Sequence, residues 1–211
     1  MGKIKAVLFD LDGTLLDSFH LHYAAYETMF RHFGIEMSRE LFITTYSPNW
    51  YRTYEAFGLD EEHWERANLL WLEAASTHAP DLFPGVIELL AELQNDYVLG
   101  IVTSGSKTRV TNDLERLAIT EYFSSIVTGD DITEPKPAPE ALELALNQLS
   151  ISPSDAIYVG DAHADFEMSR SAGVPFVGVA SEFINLVEDH AEYDIHPITS
   201  LPELVRSRAK I

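Results

Sequence analysis

The sequence predicts an α/β fold: a mostly parallel sheet between helices, interrupted once by an all-helical insertion. Short β-branched or apolar runs recur between longer segments whose apolar residues fall three and four positions apart, as helices packed on a sheet require. Residues 18–80 break that alternation and carry no strand pattern. At 211 residues the chain is long for one domain and short for two, which fits one large core carrying a smaller insertion.

The first strand is expected over residues 5–10, where Lys-Ala-Val-Leu-Phe-Asp ends in a carboxylate. Asp17 and Ser18 can cap the helix that follows. Aromatic-rich helical segments then run over 19–33, 39–46, 49–57 and 61–78. Pro80 to Gly85 punctuates the return to the core. The expected organisation is a core of residues 1–17 and 81–211 with a helical cap of 18–80. In the second part, strands at 98–103, 125–128, 156–160 and 175–179 alternate with helices at 86–93, 107–117, 139–149 and 165–172. A short sixth strand is expected near 193–195, and Gly173 stands where a helix C-cap belongs.

Composition narrows the function classes. Cysteine is absent, so disulfides, thiolate nucleophiles and cysteine metal sites are excluded. No apolar run reaches membrane-spanning length. A net charge of −20, from 34 acidic and 14 basic residues, repels nucleic-acid and membrane phosphates. A cytoplasmic protein, monomer or homodimer, acting on a small molecule is the expectation. A small phosphate ester stays possible, because a divalent cation and one lysine can reverse the local potential.

Four segments fall just after expected strands, at the sheet edge where ligands bind in open parallel sheets. Asp10 and Asp12, two residues apart on extended chain, project the same way, and Gly13 permits a sharp departure. Asp161 and Asp165, one helical turn apart, share the face of a helix N-terminus. Four clustered carboxylates need compensating charge, for which magnesium is the natural hard cation. Thr103, Ser104 and Gly105 offer hydroxyls and backbone N–H groups suited to phosphate oxygens. Lys136, one of only five lysines, lies between prolines that stiffen its loop and can neutralise charge on a phosphate and a carboxylate. Each segment taken alone also reads as an ordinary turn, cap or surface residue.

Together the four segments resemble the haloacid dehalogenase superfamily, in the branch with a helical cap inserted after the first strand. Asp10 to Thr14 is similar to its D-x-D-G-T signature, Thr103 to its Ser/Thr motif, Lys136 to its lysine motif, and Gly160-Asp161 with Asp165 to its G-D-x-x-x-D motif. The resemblance implies a Rossmann-like three-layer core with sheet order 3-2-1-4-5 and Asp10 on the central strand. It implies a magnesium-dependent phosphatase in which Asp10 becomes an aspartyl-phosphate and Asp12 acts as acid and then base. Asp10, Asp12 through its carbonyl, and Asp161 would hold the metal, supported by Asp165. Thr103, Ser104, Gly105 and Lys136 would hold the phosphoryl group. Ser104 stands where phosphatases of this type often carry asparagine.

Other readings follow from the same resemblance. A dehalogenase would lack Asp12 and the acidic pair, whereas phosphonatases and sugar-phosphate mutases tend to use a cap lysine, and residues 18–80 contain none. A catalytically idle binding or regulatory protein would have lost a chemical group, and a receiver domain would leave the insertion unexplained. Asp-Gly-Thr-Leu-Leu-Asp-Ser is similar to phosphoglycolate phosphatases and their pyrophosphatase and nucleotidase relatives. A small phosphomonoester such as a phosphoglycolate-like compound, sugar phosphate or nucleotide is therefore expected, with His20, His22, Tyr51 and Arg52 of the cap as candidates for reading its leaving group.

Overall fold

The computed structural model describes residues 3–46, 50–75, 79–180 and 194–208. A six-stranded parallel sheet forms the centre. Its strands are β1 (Ala6–Phe9), β4 (Val98–Val102), β5 (Phe123–Val127), β6 (Ala156–Gly160), β7 (Phe176–Val179) and β8 (Ile195–His196), in the order β5-β4-β1-β6-β7-β8. Counted along the core strands alone, that is the expected 3-2-1-4-5 with the sixth strand added parallel at the edge. Tyr193, in the expected sixth strand, lies outside the described residues.

Alternation along each strand divides the core into two layers. Val7, Phe9, Ile157, Val159 and Val177 face one way, against Val86, Leu89, Leu90 and Leu93 of α5 (Val86–Leu93), Val110 and Leu114 of α6 (Lys107–Arg116), and Leu201 and Val205 of α9 (Leu201–Arg208). Ala6, Leu8, Ala156, Tyr158 and Phe176 face α7 (Glu140–Leu149) and α8 (His163–Ser171). Every residue of β1 and β6 is buried, as central strands covered on both faces should be.

Helices α1 (Phe19–His32), α2 (Arg39–Thr45), α3 (Trp50–Ala56) and α4 (Trp64–Ala75) build a cap with its own aromatic core of Phe19, Tyr26, Met29, Phe30, Phe42 and Tyr54. Ser38 caps α2 by accepting from the Leu41 N–H at 3.3 Å. Expected helix residues 49 and 76–78 lie outside the described residues.

The sequence gives no sign of three features. Chain leaving and re-entering the core pairs as an antiparallel ribbon, β2 (Leu16–Asp17) with β3 (Asp81–Leu82), too short and too acidic to show a hydrophobic period. Strand β5 begins two residues earlier than the apolar pattern, because a register shift admits Phe123 and because the Ser125 hydroxyl donates to Gln148 Oε1 at 2.7 Å. Helix α9 packs on the core through few apolar residues in an otherwise polar segment.

Candidate active site

Asp10 is the first residue beyond β1, and its N–H donates to Val159 O at 2.8 Å, so the chain is still tied to the neighbouring strand where the carboxylate emerges. Gly13 then takes φ +79°, in the left-handed region where a side chain would be strained, and turns the chain toward the cap. Across the sheet edge, Lys136 reaches in from the loop before α7. Its Nζ donates to Asp10 Oδ1 at 2.6 Å, Asp165 Oδ1 at 2.8 Å and the Tyr158 hydroxyl at 2.8 Å, with its side chain only 2% exposed. All three ammonium protons are thereby used.

Asp165 lies in the first turn of α8, and its Oδ2 accepts from the Ala162 N–H at 3.1 Å. A Cβ on Gly160 would fall 2.6 Å from that oxygen, so a glycine at the end of β6 is what lets the carboxylate lie against the strand. Asp161, the next residue, is buried and accepts from the Thr14 hydroxyl at 3.3 Å. One carboxylate oxygen each from Asp10, Asp161 and Asp165 lies within 4.8 Å of the others. This all-oxygen, acidic donor set suits a hard divalent cation, so these residues fit the magnesium that the motifs imply.

Charge is costly here, and the site is arranged around that cost. Burial pushes the Asp10 carboxyl up to about 7, more than the Lys136 ammonium draws it down. Burial also works against the Lys136 ammonium, but Asp10 and Asp165 outweigh it and hold its pKa above the ordinary lysine value.

Asp12 sits in a different environment. The Arg109 guanidinium grips both of its oxygens, one bond measuring 3.1 Å, and His22 Nε2 lies 3.4 Å from Oδ1. Burial opposes its charge, yet Arg109 and then His22 prevail and hold its carboxyl well below the usual carboxylate range. Arg109 is in turn 3.3 Å from Asp113, one helical turn along α6.

On the remaining side, Thr103 is buried and its Oγ1 accepts from the Gly105 N–H at 3.1 Å, which does not use the hydroxyl's own proton. A Cβ on Gly105 would collide with the Arg109 guanidinium.

A cavity of about 630 Å³ joins these groups to the cap. Asp10, Asp12, Thr103, Ser104, Gly105, Lys136, Asp161 and Asp165 line its core side, so all eight core residues singled out in the sequence converge. Of the four cap candidates, His22 and Tyr51 line it, whereas His20 and Arg52 lie exposed outside it. Sequence reasoning missed Arg109 and Tyr158. A tyrosine amid the apolar residues of β6 was the available signal, since a buried hydroxyl needs partners; Arg109 offered none beyond its place after the Thr103 loop.

Fold and site together define a class, an α/β enzyme whose charged centre at the carboxyl edge of a parallel sheet is roofed by a helical cap. Residues 7–179 match the family model described as haloacid dehalogenase-like hydrolase. Over 210 residues the chain is 32% identical to pyrophosphatase PpaX of Oceanobacillus iheyensis, covering 96% of this chain and 97% of that protein. It is also 32% identical to phosphoglycolate phosphatase 1 of Pseudomonas aeruginosa, over 81% of this chain and 67% of that one. A haloacid dehalogenase-like family hydrolase of Streptococcus pneumoniae superposes with a TM-score of 0.82 at 24% identity, covering 95% of this chain and 98% of that one. The chain belongs to the haloacid dehalogenase-like hydrolases.

Proposed function

We propose that this hydrolase is a magnesium-dependent phosphatase that cleaves a small phosphomonoester through an aspartyl-phosphate on Asp10. One observation carries the reading: Asp10, at the end of the central strand, shares a buried lysine with Asp165 and lies with Asp161 and Asp165 in a group able to hold a metal. Relatives named as a pyrophosphatase and a phosphoglycolate phosphatase support phosphoryl chemistry as the class.

In this reading the Asp10 carboxylate attacks phosphorus, the ester P–O bond breaks, and water then attacks the acyl phosphate to release inorganic phosphate. Asp10, Asp161 and the Asp12 carbonyl, with Asp165 in support, would hold the magnesium, which when bound would supply positive charge for the phosphoryl oxygens and favour the ionised form of Asp10. Lys136, exchanging one of its present partners for a phosphoryl oxygen, and the Thr103 hydroxyl, with the Ser104 N–H beside Gly105, hold the transferring group. Asp12 handles the proton, as acid toward the leaving oxygen and then as base toward water. Its pairing with Arg109 favours the anionic, water-activating form, so the acid step requires that pair to loosen when substrate enters.

The test is phosphate release from p-nitrophenyl phosphate with magnesium and with EDTA. Wild type is expected to turn over with the metal only, and Asp10→Asn to lose at least about a thousandfold in kcat, on the scale of removing a covalent nucleophile. Metal-independent turnover, or turnover equal to that of the Asp10→Asn protein, would overturn the proposal.

A further inference from the structure

We infer that the leaving group of the substrate is an uncharged alcohol carrying a planar aromatic ring, as in a nucleoside monophosphate or an aryl phosphate. The inference rests on the phosphatase reading and names its substrate class. It departs from the carboxylate and the second phosphate named for the two relatives above.

The cavity has two chemically opposed walls. Opposite the charged core side, the cap presents Tyr26, Tyr46, Tyr54 and Trp71 within and Trp50, Tyr51 and Leu72 at the mouth. Trp50, which meets Tyr51 edge-on at 5.9 Å, is still 42% exposed and Leu72 53% exposed, so large apolar surface is left open at the entrance. Tyr51 is braced by stacking on Trp64 at 4.7 Å between ring centroids, with 22° between planes. The cavity volume of about 630 Å³ lies within the roughly 300–1,000 Å³ that encloses drug-sized ligands, so a two-carbon ester would leave most of it to water.

Charge points the same way. Among the described residues, the lysine and arginine side chains lining the cavity are Lys136, assigned to the phosphoryl group, and Arg109, whose charge stays balanced by Asp113 and Asp12 even when its grip on Asp12 loosens. The cap lends neither: Arg31 pairs with Glu27 at 3.1 Å, Arg39 lies over the Phe19 ring at 5.0 Å, and Arg52 and Arg66 are exposed outside the cavity. Beyond the three carboxylates assigned to the metal, Asp12 and Asp130 line the same space, so a carboxylate or second phosphate on the leaving group would find no uncompensated cation there.

Polar groups of the cap wall suit a heteroaromatic ring. The Trp71 indole N–H is buried without a hydrogen-bond acceptor, although a buried donor normally has one. Asn68 accepts the Tyr54 hydroxyl on Oδ1 at 2.9 Å, which leaves its amide nitrogen to donate. Two donors in an aromatic wall match the ring nitrogens and carbonyls of a nucleobase. The overall reaction balances as hydrolysis: water adds to phosphorus, the P–O bond to the alcohol breaks, and the alcohol leaves with one proton.

The experiment measures kcat/KM with magnesium for AMP, UMP, 1-naphthyl phosphate, phosphoglycolate and pyrophosphate, on wild type, Trp50→Ala and Trp71→Phe. Wild type is expected to prefer the aromatic esters at least tenfold over phosphoglycolate and pyrophosphate. Trp50→Ala should narrow that preference about tenfold. Trp71→Phe, which keeps a ring and removes the donor, should weaken the nucleotides more than the naphthyl ester. Nucleotides ahead of 1-naphthyl phosphate identify a nucleoside, and the reverse identifies an aryl group; both support the inference. Preference for phosphoglycolate or pyrophosphate, with turnover abolished by Asp10→Asn, would overturn the inference and leave the phosphatase reading standing. No Asp10-dependent turnover of any ester would overturn both.

Discussion

Asp10 is buried at the floor of the cavity beside Lys136, and burial, which outweighs the lysine, makes it respond to pH in the neutral range. In the unfolded chain Asp10 ionises near 3.8, and in the folded one burial lifts it to about 7. The folded state therefore keeps a proton that the unfolded state has lost, so the Asp10 contribution to stability is full below about pH 4 and declines as pH rises through 7. A cation at these carboxylates competes with that proton. Magnesium at a hundredfold excess over its Kd is expected to raise Tm by about 5–10 °C at pH 8. At pH 5.5 the rise should be less than half as large, and calorimetry against EDTA at both pH values checks this. Equal shifts would mean that the ion binds elsewhere. The residues of this centre were legible because each follows an expected strand. Tyr158 and Arg109 were not, because their roles depend on Lys136 and Asp12, 22 and 97 residues away, which only the folded chain brings to them.

Among the elements, α6 links the two ends of the site. It carries Arg109 toward Asp12 and, two turns on, Arg116, whose guanidinium donates to the Pro80 carbonyl and lies 3.6 Å from Asp81. The core thus grips the returning strand β3 where the cap is attached. Arg116 is partly exposed, so Arg116→Ala should lower stability by no more than about 1 kcal/mol. Limited proteolysis at the cap connections should nevertheless speed up severalfold, as measured by gel densitometry under native conditions; an unchanged cutting rate would show that the contact does not restrain the cap. The core helices were readable because their apolar positions repeat at helical spacing. The cap was legible as helical for the same reason, but its cavity wall was not: aromatic residues that line a space and those that fill one share the same period, as Tyr26 and Phe30 on α1 illustrate.

At the scale of the whole molecule, the net charge of −20 includes the buried carboxylates of the site but comes mostly from acids outside it. Mutual repulsion among exposed acids should fall as the screening length shrinks from about 10 Å at 0.1 M salt to about 3 Å at 1 M. Tm in EDTA is accordingly expected to rise with sodium chloride over that range; a flat response would show that the surface acids are too far apart to matter. The α/β class could be read from sequence because the strand–helix rhythm is repeated several times. The places where the cap leaves and returns could be read as well, but not the pairing of the two connections, since four residues carry it. Those four residues have a topological consequence. Leu16 faces Leu82 and Asp17 faces Asp81, so everything between Asp17 and Asp81 is a detour with no net displacement. A two-residue turn of Asn-Gly type would span the same gap. The catalytic scaffold could therefore be cut free and rejoined without rerouting a single strand, and a foreign segment could be spliced in at the same seam.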